Sequence, residues 1–167
     1  MPLVTINVIK VPMIGRSLPA GLGAALVAWA MVATPASAQS HAHQAAVTRH
    51  PDDAALQWGP CPDFMPRGCA LTVLNGDPSK ANADVFFKVP AGAELPVHWH
   101  TSAERMVLVA GELHVRYVGR LPVVMTPGVY AYGPPKLAHG GSCVSDTPCV
   151  LFIAFEAAVD AFPGEAH

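Results

Sequence analysis

The chain has no cluster of lysine and arginine. Its ten basic residues are scattered against twelve acidic ones, for a formal net charge of −2. It therefore offers no electrostatic footprint for nucleic acid or an anionic lipid surface. No segment carries the 3.6-residue apolar stripe of an amphipathic helix, and no internal repeat is present, which argues against a helical bundle or a solenoid. The four cysteines contain no C-x2-C pair, which weakens thiolate metal ligation. No second carboxylate or nucleophile–base pair accompanies the histidines described below, so no general base can be named.

What is present begins with two cations (Lys10, Arg16), an apolar stretch from Leu18 to Ala33 and a closing Ala36-Ser37-Ala38. That order predicts a secretory signal peptide over residues 1–38. The apolar stretch falls short of the roughly 20 residues a membrane span needs, so no stable anchor is expected after cleavage. The remainder holds all twelve acids but only eight of the ten basic residues, a formal charge of −4. Export to the periplasm or beyond also suits the cysteines. Cys61 and Cys69 bracket a Pro- and Gly-rich loop, and Cys143 and Cys149 bracket a turn containing SDTP. Opposed residues of a hairpin lie close enough for a disulfide, which favours local pairing, 61–69 and 143–149, among three connectivities.

Residues 39–55 are polar and Ala-rich without clean periodicity and read as a flexible leader. Gln39-Ser40-His41, with His43 and His50 nearby, has the donors to wrap Cu(II) or Ni(II). An N-terminal Gln tends to cyclise, however, so a solvated leader is the simpler expectation. From Gln57 onward, short apolar runs recur with Gly or Pro every eight to twelve residues, the pattern of an all-β sandwich or barrel. Strands are expected at 71–74, 84–89, 97–100, 104–110, 112–118, 123–126, 129–132, 138–144 and 150–156. A last helical turn is conceivable at 157–161, and 161–167 reads as a C-terminal tail beyond a domain of residues 56–160. Leu113, Val115 and Tyr117 alternate with Glu112, His114 and Arg116, so this strand has one wet side and His114 belongs to the surface.

The strongest signal is Gly92-x5-His98-x-His100-x3-Glu104-x6-Gly111. Two histidines two apart on a strand project from the same face. Glu104 follows a Thr-Ser-Ala bend that lets a carboxylate swing in from the next strand. Gly92 and Gly111 stand at turns, where positive φ or close backbone approach is cheap. His139, in P-x-K-x-x-H, supplies a fourth donor from a later strand. Three imidazoles and a carboxylate suit one divalent transition metal, Fe, Mn, Zn, Ni, Co or Cu. Trp99, between the two histidines, faces the other way, toward the other layer or a dimer contact. Tyr130 and Tyr132 share a face, and either a ligand contact or ordinary packing would use it.

These residues resemble a known family. Gly92–Gly111 resembles cupin motif 1 at every defining position, and Gly128-x5-Pro134-x-Lys136-x2-His139-x3-Cys143 resembles motif 2, with Lys136 for the usual Gly and Cys143 for the usual Asn. The sixteen residues between the motifs (112–127) match small bacterial cupins. The resemblance implies a single-domain β-barrel of jelly-roll type (a double-stranded β-helix), often a homodimer, with His98, His100, Glu104 and His139 as metal ligands inside. Metal-dependent chemistry on a small organic molecule is then the leading expectation, with a dioxygenase ahead of an isomerase, lyase or decarboxylase. A non-catalytic holder of a metal or small ligand stands beside it, and a structural domain with a vestigial site ranks below both.

Overall fold

In a computed structural model, residues 46–165 are described, all within one compact unit that begins at Ala45. The expected signal peptide, His41, His43 and His167 lie outside the described residues. Every regular element among those residues is a strand. The strands are β1 (Gly59–Pro60), β2 (Ala70–Asn75), β3 (Ala83–Val89), β4 (Glu94–Trp99), β5 (Glu104–Ala110), β6 (Leu113–Tyr117), β7 (Val123–Met125), β8 (Tyr130–Gly133), β9 (His139–Cys143), β10 (Cys149–Phe155) and β11 (Phe162–Pro163).

They form two antiparallel sheets of order β1-β2-β3-β10-β5-β8 and β11-β4-β9-β6-β7. No ladder joins the edges of the two sheets among the described residues, so the jelly roll is an open sandwich. Val85, Val89, Leu108, Leu113 and Met125 are completely buried between the layers. Each such side chain stabilises the fold by about 1.5–3 kcal/mol relative to exposure.

The six-stranded sheet is covered on both sides. Its outer face carries Phe86 and Val150, packed with Leu56 from the segment before β1 and flanked by Trp58. Lys88 sits 3.9 Å above the Trp58 ring. Double coverage explains why β3 reads DVFFKV, nearly continuous in apolar residues, where one-sided burial would alternate. It also shows that part of the expected leader is packed. Asp53 N–H donates to the His50 carbonyl at 2.9 Å, Leu56 N–H to the Asp53 carbonyl at 3.0 Å, and Pro51 is buried. His50 itself is exposed, beside Asp52.

Both sulfur pairs lie at bonding distance in the favoured connectivity, with Cα separations of 5.7 Å for Cys61–Cys69 and 5.8 Å for Cys143–Cys149. The hairpin reasoning holds for the first, since Pro60 pairs with Ala70 just inside the bridge. It fails for the second. Cys143 ends β9 in the five-stranded sheet and Cys149 begins β10 in the six-stranded one, so this bridge clips the layers together. Closing short loops of this kind stabilises a chain by about 2–3 kcal/mol.

Residues 157–161 form a bend and coil and not a helical turn, and the expected tail contains β11, which pairs with β4. Its Phe162 stacks on Trp99 with ring centroids 4.6 Å apart. Trp99 does face away from the histidines, and its partner lies in its own chain.

Candidate metal centre

Register brings the site together. Across the five-stranded sheet, Pro163 pairs with His98, His98 with His139, and His139 with Tyr117. Directly paired residues point their side chains to the same face. This row therefore aims two imidazoles and a phenol inward, and His100, just past the end of β4, joins them. Across the six-stranded sheet, Phe155 pairs with Glu104 and Glu104 with Gly133. The carboxylate thus comes from the opposite layer.

One ring nitrogen from each of His98, His100 and His139 lies within 4.8 Å of the others, and all three residues are buried. Each Nδ1 faces a backbone carbonyl. His98 Nδ1 donates to Pro96 O at 2.8 Å, His139 Nδ1 to Leu137 O at 3.1 Å, and His100 Nδ1 to Asp160 O. A carbonyl only accepts, so the proton of each neutral ring sits on Nδ1 and Nε2 is left as a bare lone pair. Such tethering is how metal-binding imidazoles are oriented.

Glu104 meets these lone pairs. Its Oε1 lies 3.0 Å from His139 Nε2 and its Oε2 3.5 Å from His100 Nε2. The side chain is buried, and His139 Nε2, once it carries a proton, is the donor that Oε1 faces. Acceptor facing acceptor at this range needs a cation between them, a proton or a metal. Without a metal the proton serves. Burial pushes His139 down, but its hydrogen bond to Glu104, the carboxylate charge and the Leu137 carbonyl together hold its pKa above the ordinary value. Burial likewise pushes Glu104 up, and the bond to His139 with the charges of the three histidines overrides it, leaving the carboxyl low. His98 has no such partner. Burial first, then the charge of His139, lowers it to about 4. The donor set fits a divalent metal, which would take the place of that proton.

Turn glycines frame the constellation as expected. Gly92 and Gly111 have φ of 69° and 82°, a region L side chains rarely enter. Lys136, standing where the family usually has Gly, occupies the same region at φ 63°, and its N–H donates to the His100 carbonyl at 2.8 Å. Tyr130 and Tyr132 are about half exposed on the edge strand β8 and are absent from the ring contacts and cavity walls around the imidazoles. His114 is half exposed and pairs with Glu112 at 3.1 Å.

Three participants escape a reading of the sequence. A Cβ on Gly133 would lie 2.9 Å from Glu104 Cγ and Oε1, so this glycine makes room for the carboxylate. Its signal was the motif proline beside it, without the pairing that shows why. Tyr117 places its ring 5.4 Å from His139 at a tilt of 41° and keeps a buried hydroxyl without a partner, raised in pKa by burial and then by the Glu104 charge. Alternation marked it as core. Asp160 offers only its backbone carbonyl to His100, which any residue type would supply, so no signal exists.

Beside the histidines lies a cavity of about 150 Å³. The Cys61–Cys69 loop borders it through Pro62 and Met65, and Phe64 approaches the His98 ring at 6.3 Å between centroids.

Residues 44–159 match the family model of the ChrR cupin-like domain. The chain belongs to that cupin family. No curated protein sequence matches. Among solved structures, this cupin is similar to an RmlC-like cupin from Shewanella frigidimarina, with 25% identity, a TM-score of 0.53, and 64% of this chain and 87% of that one covered. It is also similar to the DMSP lyase DddQ from Ruegeria pomeroyi, with 23% identity, a TM-score of 0.56, and 68% and 62% covered. A cupin-2 domain from Rhodospirillum rubrum gives 18% identity and a TM-score of 0.56 over 73% and 80% of the two chains. This cupin thus spans less than two thirds of the lyase's length. At such identities the lyase and the cupin-2 domain testify to the fold alone.

Proposed function

We propose that this cupin is an exported protein that binds one divalent transition metal through His98, His100, His139 and Glu104 and acts with it on a small organic molecule. The observation that carries the reading is the set of three carbonyl-tethered imidazoles whose free nitrogens converge with a buried carboxylate. A metal held there supplies Lewis acidity and a template for substrate. The chain's own residues do the rest. The carbonyls of Pro96, Leu137 and Asp160 fix the rings, the facing sheets keep bulk water from the donors, and the cavity receives the organic part.

Oxidative chemistry of the dioxygenase type leads within this reading, because a metal held by His98, His100, His139 and Glu104 would keep open positions for substrate and O₂ together. Isomerase or lyase chemistry follows, and the likeness to a lyase adds a precedent for the fold only. The two disulfides support an oxidising compartment. A homodimer, common among cupins, completes the proposal.

A second reading is a non-catalytic holder of metal or ligand. The cavity wall favours it. Among the described residues, its only acid–base side chains beyond the four donors is the carboxyl of Asp160, already bonded to Thr101.

Elemental analysis of protein taken from its native compartment tests the metal, with a stoichiometry of about one ion per chain expected from a single tetradentate site. Oxygen uptake and substrate loss, measured with Fe(II), Mn(II), Ni(II) and Zn(II) in turn, then separate enzyme from holder. Ligand binding without consumption of either would end the oxygenase reading.

A further inference from the structure

The cavity beside the histidines selects a kind of molecule. Its volume of about 150 Å³ equals that of an engineered apolar cavity that takes up benzene. Leu71 and Phe87 from β2 and β3, Leu113 from β6, Leu151 and Ile153 from β10, and Met65 from the disulfide loop form its hydrocarbon and thioether walls. Polar lining is confined to His98, His100, Glu104, His139 and Asp160. Asp160 is spent, because both carboxylate oxygens accept from Thr101 and its carbonyl accepts from His100. Among the described residues, no lysine, arginine, hydroxyl or amide side chain lines the space.

These walls impose a polarity on any occupant. Its donor atoms must lie at the histidine end, since a second charged or hydrogen-bonding group would enter hydrocarbon with no partner to replace water. Its body gains by leaving water in proportion to its apolar area. Charge completes the argument. Glu104 leaves a bound divalent ion with one net positive charge, which a single carboxylate neutralises and two would overshoot.

We propose that the site takes a compact monoanionic ligand of about six to nine non-hydrogen atoms, a short-chain or small-ring monocarboxylate, with its oxygens at the histidines and an apolar body toward Leu113, Leu151 and Ile153. The inference rests on the metal reading above.

Zinc, which is redox-inert, allows binding to be read without turnover. The full chain loaded with Zn(II) is titrated calorimetrically with valerate, with glutarate (the same five-carbon chain bearing a second carboxylate) and with ribose, and zinc content is measured on each sample. Valerate is expected to bind at least ten-fold tighter than glutarate, and ribose to give no heat. Ile153→Phe, which fills the cavity, should weaken valerate at least ten-fold while zinc is retained. Leu71→Arg, on a half-buried wall position, should narrow or reverse the preference for valerate over glutarate. Zinc retained with equal affinity for valerate and glutarate, or with no binding of either, overturns the inference alone. Failure to retain zinc overturns the metal reading and the inference with it. The comparison on the unaltered chain decides the matter even where a variant does not fold.

Discussion

The two sheets hold the site in different ways. The five-stranded sheet contributes imidazoles from β4 and β9, with His100 just beyond β4, and each ring is fixed by a carbonyl. The six-stranded sheet contributes one carboxylate, which no donor of its own sheet restrains and which rests against the imidazoles and beside Gly133. The histidines are thus oriented before any ligand arrives, while Glu104 is oriented by what it faces. Preorganisation resides in one layer and charge in the other.

The sharpest test of that asymmetry compares His139→Ala with Glu104→Gln. Removing a tethered imidazole should cost at least about a hundred-fold in metal affinity, the upper end of what loss of an outer partner costs, and Glu104→Gln about ten-fold, its lower end. Competition with a metal-binding dye measures both. Equal losses would mean that the two layers contribute alike. Gly133→Ala attacks the carboxylate without touching a donor. Its new Cβ would stand 2.9 Å from Glu104, so we expect destabilisation of about 1–3 kcal/mol in urea melts and weaker metal binding, with the Nδ1 tethers intact.

Acid should separate the residues as well. In the metal-free protein His98 is held near 4, below its ordinary 6.5, by burial and by His139. The unfolded chain binds more protons across that window, so the contribution of neutral His98 is present above about pH 6.5 and lost as pH falls toward 4. His139, raised by Glu104, works the opposite way: its contribution is present below its unfolded value and lost as pH rises through the folded one. Below pH 6.5 the His139 contribution is constant, so melting temperatures of metal-free protein should fall from pH 6.5 toward 4, and His98→Gln should flatten that slope. An unchanged slope would place the acid sensitivity elsewhere.

The smallest expected effect is Lys136→Gly. Left-handed backbone costs a non-glycine residue about 1–2 kcal/mol, offset in part by the greater chain entropy of glycine, so about 0.5–1 kcal/mol of stabilisation should appear in thermal melts.

Much of this molecule is legible in its sequence. Nine strand cores stand where short apolar runs and Gly/Pro punctuation place them, because one or two buried faces force that pattern on the chain. The inward aim of His98 follows from the strand's alternation, whereas His100 lies just past β4 and takes its aim with the help of the Asp160 carbonyl. What stayed hidden depends on register between distant segments. Gly133 is small because it lies opposite Glu104. Tyr117 borders the site because it lies opposite His139. β11 is too short to carry a period, and its pairing with β4 leaves no trace in composition. The Cys143–Cys149 pair was readable but its reason was not, since a crossover between layers and a hairpin look alike as a short turn between apolar runs.

The carbonyl of Asp160 has one more implication. It lies 60 residues beyond the His100 ring it steadies, and β11, from the same distant stretch, pairs Pro163 with His98. Contacts of such separation close large loops at an entropic cost that local contacts do not carry, so we expect them to form late in folding. Metal capture with full affinity should therefore report that the chain has finished folding, and a chain cut before Asp160 would carry all four donors yet lack the strap that sets one of them.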